Sequence, residues 1–352
     1  MRWFSYFATL AATVSLFSSQ TVAASFFSNQ QQQPVSSKDK PPAYDADLFN
    51  KDRESYFANL EWLYWTVEEG ALDYAQKMKQ TTHSAGPYYA LGNVKSATFD
   101  LDPGLRVSAG YFNAPKYWEV LAEYTYMPVR GKNKAHAPKE SDLFLTGTWP
   151  QLVSTPLTKA HSSISLDYNV FYLMIDRVFI PNPHLRFRTL AGIGAAWIEQ
   201  NWYVHYSNAN EVSKLRNRWN YGAGGLRIGL SGDWYWGNHI YLTGALTLGS
   251  FMGSYHNRTN QSSPAGTVRK SFYSDARAAL MTQFLIGAAW QKNFTAISRL
   301  EVFVGYELTP WVNLQEMRRS SGSMSLQDAK ETWLGTSLMT LHGLTTRFTI
   351  NF

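Results

Sequence analysis

The chain has 352 residues, a formal net charge of +6, a pI near 9.2, a mean hydropathy of −0.29 and no cysteine. Disulfides, thiolate catalysis and cysteine-held metals are therefore excluded, and past the N-terminus no stretch reaches the roughly 18–20 consecutive apolar residues of a membrane helix. Yet aromatics make up 15% of the residues, with 13 Trp, 21 Tyr and 20 Phe, a heavy load for a soluble domain.

In chain order, the first element is a leader. Arg2 is followed by an apolar run from Trp3 to about Phe17 and then by the small residues Val22, Ala23 and Ala24. This layout predicts a cleaved secretory signal over residues 1–24; the run is short for a span and broken by Ser and Thr, which argues against a retained anchor. Residues 25–52 are rich in Gln, Pro and Ser and are expected to form a flexible periplasmic segment.

From residue 53 to 352 the pattern is extended. Strands are predicted at 55–67, 103–112, 117–129, 162–178, 185–204, 219–236, 240–253, 274–291, 298–312 and 336–352. The connections alternate in length. "NAPK" at 113–116, "PNPH" at 181–184, "GNH" at 237–239 and the stretch 292–297 are short; 68–102, 130–161, 205–218, 254–273 and 313–335 are long and polar. Exported, aromatic-rich and sorted this way, the chain predicts an all-β fold: an antiparallel up-and-down transmembrane β-barrel in the bacterial outer membrane. Short turns would face the periplasm and long loops the exterior. Ten strands are counted, with twelve as the alternative.

The two faces of each strand support this. Leu105, Val107, Ala109 and Tyr111 oppose Arg106, Ser108 and Gly110; Leu226, Ile228, Leu230 and Trp234 oppose Arg227, Gly229, Ser231 and Asp233. A charge on the lipid face near the midplane costs about 2–4 kcal/mol, so charges belong inside. The candidate lumen-lining residues, expected to set selectivity, are Arg106, Glu119, Glu123, Asp167, Arg186, Arg188, Arg227, Asp233, Glu301, Glu307 and Arg347. The opposed reading is that these charges pair and fill a closed barrel, because eight-stranded barrels are already filled by side chains. Inward glycines such as Gly192, Gly194, Gly229, Gly287 and Gly305 leave room for water or for a neighbouring side chain.

Aromatics gather towards strand ends: Trp118, Trp234, Trp236, Trp290, Phe294 and Phe352 near short turns, and Trp62, Tyr64, Tyr124, Tyr126, Trp197, Trp202, Trp219 and Phe251 near long loops. Two interfacial belts are the expected reading. At the C-terminus, "LHGLTTRFTINF" alternates to Phe352, as closure of the ring requires. Phe348, Ile350 and Phe352 form a terminal pattern that resembles the signal outer membrane proteins present to their assembly machinery.

Other motifs carry less. "GIGAAW" and "GAGGLRIG" lie within strands and lack the strand-to-helix turn of a nucleotide-binding loop. The eight His are dispersed without metal spacing and no GxSxG elbow occurs, so a barrel enzyme is the weakest reading and no cofactor or metal is expected. The sequons at Asn257 and Asn260 carry no meaning in a bacterial envelope. Export removes nucleic acid as a partner of the basic chain. Acidic surface glycans or lipopolysaccharide phosphates are the expected counter-charges, with Arg130, Lys132 and Lys134 in "VRGKNKAHAPK" the residues to test.

The stretches "DPGLRVSAGY" (102–111), "DYNVFYLMIDRVF" (167–179), "LRFRTLAGIGAAWIEQ" (185–200), "WNYGAGGLRIGLSGDWYWG" (219–237), "VGYELTPWVNLQ" (304–315) and the terminal dodecapeptide resemble the Legionella-type major outer membrane protein family, which has relatives in environmental chlamydiae. The resemblance runs from about residue 55 to the end and implies a pore-forming outer membrane protein. The disulfide-knit envelope role of the cysteine-rich chlamydial porins is excluded. The expected function is therefore passive diffusion of small hydrophilic solutes or ions. The alternative is a closed structural or adhesive barrel acting through its external loops. Expected partners are the bilayer, lipopolysaccharide, the assembly machinery and the solutes, with an oligomer open.

Overall fold

A period-two pattern gives an extended chain with two chemically distinct faces. The computed structural model describes residues 54–79, 91–140, 143–149, 156–264, 266, 268–295, 298–320 and 332–352; the expected signal peptide at 1–24 and leader at 25–52 lie outside these. The strands are β1 (Glu54–Glu69), β2 (Asp73–Lys79), β3 (Leu91–Ser96), β4 (Asp102–Asn113), β5 (Trp118–His136), β6 (Leu143–Gly147), β7 (Lys159–Asn182), β8 (Leu185–Ser207), β9 (Val212–Gly237), β10 (Ile240–Ser262), β11 (Val268–Thr295), β12 (Ser298–Ser320) and β13 (Thr332–Asn351).

Ten of them form one antiparallel ring in the order β1-β13-β12-β11-β10-β9-β8-β7-β5-β4, closed by the pairing of β4 with β1. The smaller of the two expected strand counts is the one observed. β2, β3 and β6 make a separate sheet in the order β3-β2-β6.

Pairing runs into the last residue. The Phe352 N–H donates to the Tyr56 carbonyl at 2.9 Å, the Tyr56 N–H donates back at 2.8 Å, and the two rings stack at 6.3 Å. No strand of the ring is left with an open edge, which lipid would punish through unsatisfied backbone groups.

The short turns have local causes. After β4, the Asn113 side chain accepts from the Lys116 N–H at 3.2 Å and caps a 3-10 turn at Ala114–Lys116. Between β9 and β10, Asn238 and His239 both take positive φ (53° and 69°), as a two-residue hairpin turn twisted to match its strands requires.

The strands are longer than predicted. β8, β9 and β10 have 23, 26 and 23 residues, whereas a tilted strand crosses the bilayer in roughly 9–11. Most of 205–218 and 254–273, expected as loops, is strand projecting beyond the membrane. The outward side chains there are polar because they meet water, which disguised the alternation.

The lumen as candidate functional site

Inside the membrane band the wall is ionic. Arg106 donates to Glu307 at 2.8 and 3.0 Å, to Glu61 at 2.8 Å and to Thr125 at 2.9 Å. Arg227 pairs with Glu123 at 3.1 Å, Arg186 with Asp233 at 2.8 Å, and Arg347 with Glu301 at 3.3 Å and Glu61 at 3.8 Å. Gln283 links two of these pairs, accepting from Arg227 and donating to Glu307. Glu307 is fully buried. Charges so placed are tolerable only because each finds a partner.

Arg106, Glu119, Glu123, Arg186, Arg188, Arg227, Asp233, Glu301, Glu307 and Arg347 thus lie on the inner side, as the alternation predicts. Asp167 does not. In β7 its neighbours Leu166 and Tyr168 are the buried ones, and Asp167 faces outward. It sits above the apolar band, where an outward charge meets water and costs little. Glu61, Asp176 and Arg299 also face the lumen and were missed. Strict alternation in "YFANLEWLYW" (56–65) was the available signal for Glu61, since Leu60, Trp62 and Tyr64 are all exposed.

These side chains line a polar cavity of about 200 Å³ that runs from Ser55, Thr349 and Asn351 at the periplasmic rim up to Glu61, Arg106, Glu123 and Arg227. It has room for on the order of a dozen waters.

Above that level the lumen is packed. Trp65, Trp202, Trp219, Trp311, Tyr221, Tyr255 and Phe251 are all 1% exposed or less. Phe251 lies 5.0 Å from Trp311 and 6.2 Å from Tyr172, and Trp311 lies 6.1 Å from Tyr168, ring centre to ring centre. Trp202, Trp219 and Phe251, expected in an interfacial belt, therefore belong to an internal plug. Tyr64, Tyr124, Tyr126 and Trp197 do face outward. Inward glycines are the seats of these rings: a Cβ on Gly225 or Gly249 would stand 2.7 or 2.9 Å from the Phe251 ring. Lower down, Gly287 and Gly305 seat Phe303 in the same way.

The two layers are stitched where they meet. Arg106 lies 5.3 Å beneath the Trp65 ring, Arg227 4.2 Å from Tyr172, and Arg277 3.8 Å from Tyr255. Desolvated cation–π contacts of this kind are worth on the order of 2 kcal/mol. Towards the extracellular end the small sheet packs against the barrel wall. Trp149 packs on Trp202 at 5.7 Å, and the Tyr206 hydroxyl donates to the Tyr74 carbonyl at 2.7 Å. Here Glu69, past the Tyr64 belt, accepts from Gln200 at 3.2 Å, and burial pushes its carboxyl up to about 8. Part of its stem stays in solvent, but among the described residues its Oε2 has neither accessible surface nor a donor.

Phe348, Ile350 and Phe352 all face lipid on β13 and just past it. No group of three or more His, Asp or Glu with metal-holding geometry occurs among the described residues.

Among solved structures, the chain is similar to the outer membrane protease OmpT of Escherichia coli (11% identity, 88% of this chain and 99% of that one, TM-score 0.42). It is also similar to a major outer membrane protein of Thermus thermophilus (7%, 84% and 98%, TM-score 0.30) and to a FadL homologue of Pseudomonas aeruginosa (6%, 86% and 90%, TM-score 0.25). No curated protein sequence matches the chain. The profile of the family described as Legionella pneumophila major outer membrane protein precursor matches residues 51–347. The protein is an outer-membrane β-barrel of bacterial type, and it belongs to that Legionella major outer membrane protein family.

Proposed function

We propose that this barrel is closed, that its lumen is a structural core, and that its working surface is the extracellular rim. The observation that carries this reading is the aromatic plug: Trp65, Phe251, Trp311 and their neighbours occupy the lumen immediately above the ionic wall, with no accessible surface to speak of. Rings of eight strands are already filled by side chains, and a ring of ten is only slightly wider. The polar cavity on the periplasmic side is then a water-filled recess that ends at Arg106 and Arg227. Strands that run far past the bilayer, with a sheet packed against them, suit a rigid platform presented to the outside. The reading invokes no catalytic group and no cofactor.

The expected diffusion channel keeps one support, the recess itself, which reaches about mid-membrane. For solutes to cross, the plug would have to part. Planar-bilayer recording decides between the two. Folded wild-type protein should be electrically silent, and a Trp65→Ala/Phe251→Ala/Trp311→Ala variant should show stepwise conductance. Stable unitary steps from the wild type would overturn the closed reading.

We also infer that Phe348, Ile350 and Phe352 serve as the recognition strand for outer-membrane assembly. Phe352→Ala should lower the yield of folded, heat-modifiable protein in cells while leaving refolding into detergent intact.

A further inference from the structure

The outward surface above the lipid band is not uniform around the ring. Exposed basic side chains gather on three neighbouring strands, Lys214, Arg216 and Arg218 on β9, Arg258 on β10 and Lys270 on β11, with Asp167 and Glu199 the outward acids on the adjoining β7 and β8. Across the ring, the described outward residues at this height include Glu68 of β1.

Register sharpens the picture. Arg218 stands directly across from Arg258 on the neighbouring strand, and in the adjoining row Tyr203, Arg216, Asn260 and Lys270 follow one another across β8 to β11. Like charges directly opposite on one sheet face repel. Glu199 relieves Arg218 through an exposed pair at 2.8 Å, but among the described residues no carboxylate partners Arg216 or Arg258. Arg216 instead lies 5.0 Å over the Tyr203 ring, which steadies the guanidinium and leaves its edge outward. Glu199 is one carboxylate among five cations on these strands, and that excess of positive charge calls for an anion.

The surface beneath says where the anion comes from. The Arg218–Arg258 row lies four residues above the row of Trp197, about 10 Å along the axis of a tilted strand. Long Arg and Lys stems can bend downward across part of that gap. Directly below are the lipid-facing Leu226, Met252 and Leu280. We infer that the outward face of β9, β10 and β11 binds the phosphate groups of an outer-leaflet glycolipid whose acyl chains lie on this apolar band. A lipid satisfies both surfaces at once, whereas a soluble polyanion would use only the upper one.

The test uses the full chain in non-ionic detergent, offered phosphorylated lipopolysaccharide or the same material stripped of phosphate, with bound glycolipid read by native mass spectrometry. Wild type should prefer the phosphorylated form by about tenfold or more, and the preference should fall between about 50 and 200 mM salt, as binding through several phosphate contacts does. Arg216→Ser/Arg258→Ser/Lys270→Ser should lose that preference, while Arg177→Ser, an outward cation at the periplasmic end, should keep it. Equal binding of both glycolipids by the wild type would overturn the proposal, and that comparison stands even if the triple variant fails to fold. So would a folded triple variant that binds like the wild type, or a sulfated oligosaccharide that binds where lipopolysaccharide does not. Conductance by the wild type would sink the closed-lumen reading and leave this face untouched.

Discussion

The membrane-embedded and extracellular parts of each strand are opposites. Low on β9, outward Leu226, Ile228, Leu230 and Trp234 back onto inward Arg227, Ser231 and Asp233. High on the same strand, outward Lys214, Arg216 and Arg218 back onto inward Leu215, Trp219 and Tyr221. β8 makes the same exchange, with inward Arg186 and Arg188 below and Ile198, Trp202 and Val204 above. One continuous backbone is thus greasy outside and ionic inside while it faces hydrocarbon, and the reverse while it faces water. The lesson is that the solvent, and not the fold, sets which face is polar. The lower half is rich in paired charges and the upper half in packed rings, with the buried Arg277–Glu316 pair among those rings and the Tyr235–Tyr241–Phe303 cluster low in the lumen.

That contrast can be broken from either side. The largest effect is expected from Glu307→Ala, which removes the two-pronged partner of buried Arg106 and leaves it Glu61 alone as a paired carboxylate; breaking one partner of a buried pair costs up to about 3–5 kcal/mol, read as a drop in urea midpoint. A Glu307→Ala/Arg106→Met double variant should recover part of the loss, because no buried guanidinium is then left short of a carboxylate, although the contact of Arg106 with Trp65 goes too. In the upper half, Gly225→Val drives a side chain into the Phe251 ring and the Ser250 carbonyl, and overpacking of this order costs about 1–3 kcal/mol. An equal penalty from a valine at the outward Gly244, where a Cβ meets nothing within 4 Å, would show that packing inside the lumen is not what the upper half relies on.

Glu69 offers a pH test. Its folded-state carboxyl titrates near 8 because burial opposes ionisation, against about 4.3 in an unfolded chain. The proton is held more tightly in the fold, so its contribution to stability is whole below the unfolded value and is lost as pH rises towards 8. Glu69→Gln should therefore leave thermal stability unchanged at pH 4 and raise it at pH 9. A pH-independent difference would put the residue in water. The smallest effect is expected at the rim, where Glu199→Ala removes an exposed pair worth about 0–1 kcal/mol and should not move the urea midpoint measurably.

Closure, direction and the lipid-facing set were legible in the sequence because period-two patterning fixes in and out over the membrane band. Above it the same rule misled in two ways. Asp167 was assigned to the lumen because a charge in a strand was taken to avoid lipid, although at its height there is none. Trp202, Trp219 and Phe251 were assigned to a belt because aromatics near strand ends usually sit at an interface; parity alone would have placed Trp202 with Gln200 and Val204. The plug could not be read, since it depends on rings from β1, β7, β10 and β12 meeting at one level. No local pattern specifies that level.

The seam between the first and last strands has one further consequence. Sliding β13 along β1 by two residues would keep every side chain on its proper face, so lipid and lumen preferences cannot forbid it. It would, however, place Glu61 across from Thr345 or Thr349 instead of Arg347, parting a guanidinium and a carboxylate that face each other in the lumen wall. The ion pairs of the wall thus act as notches on a vernier, admitting one alignment of the cylinder where hydrophobicity would accept several.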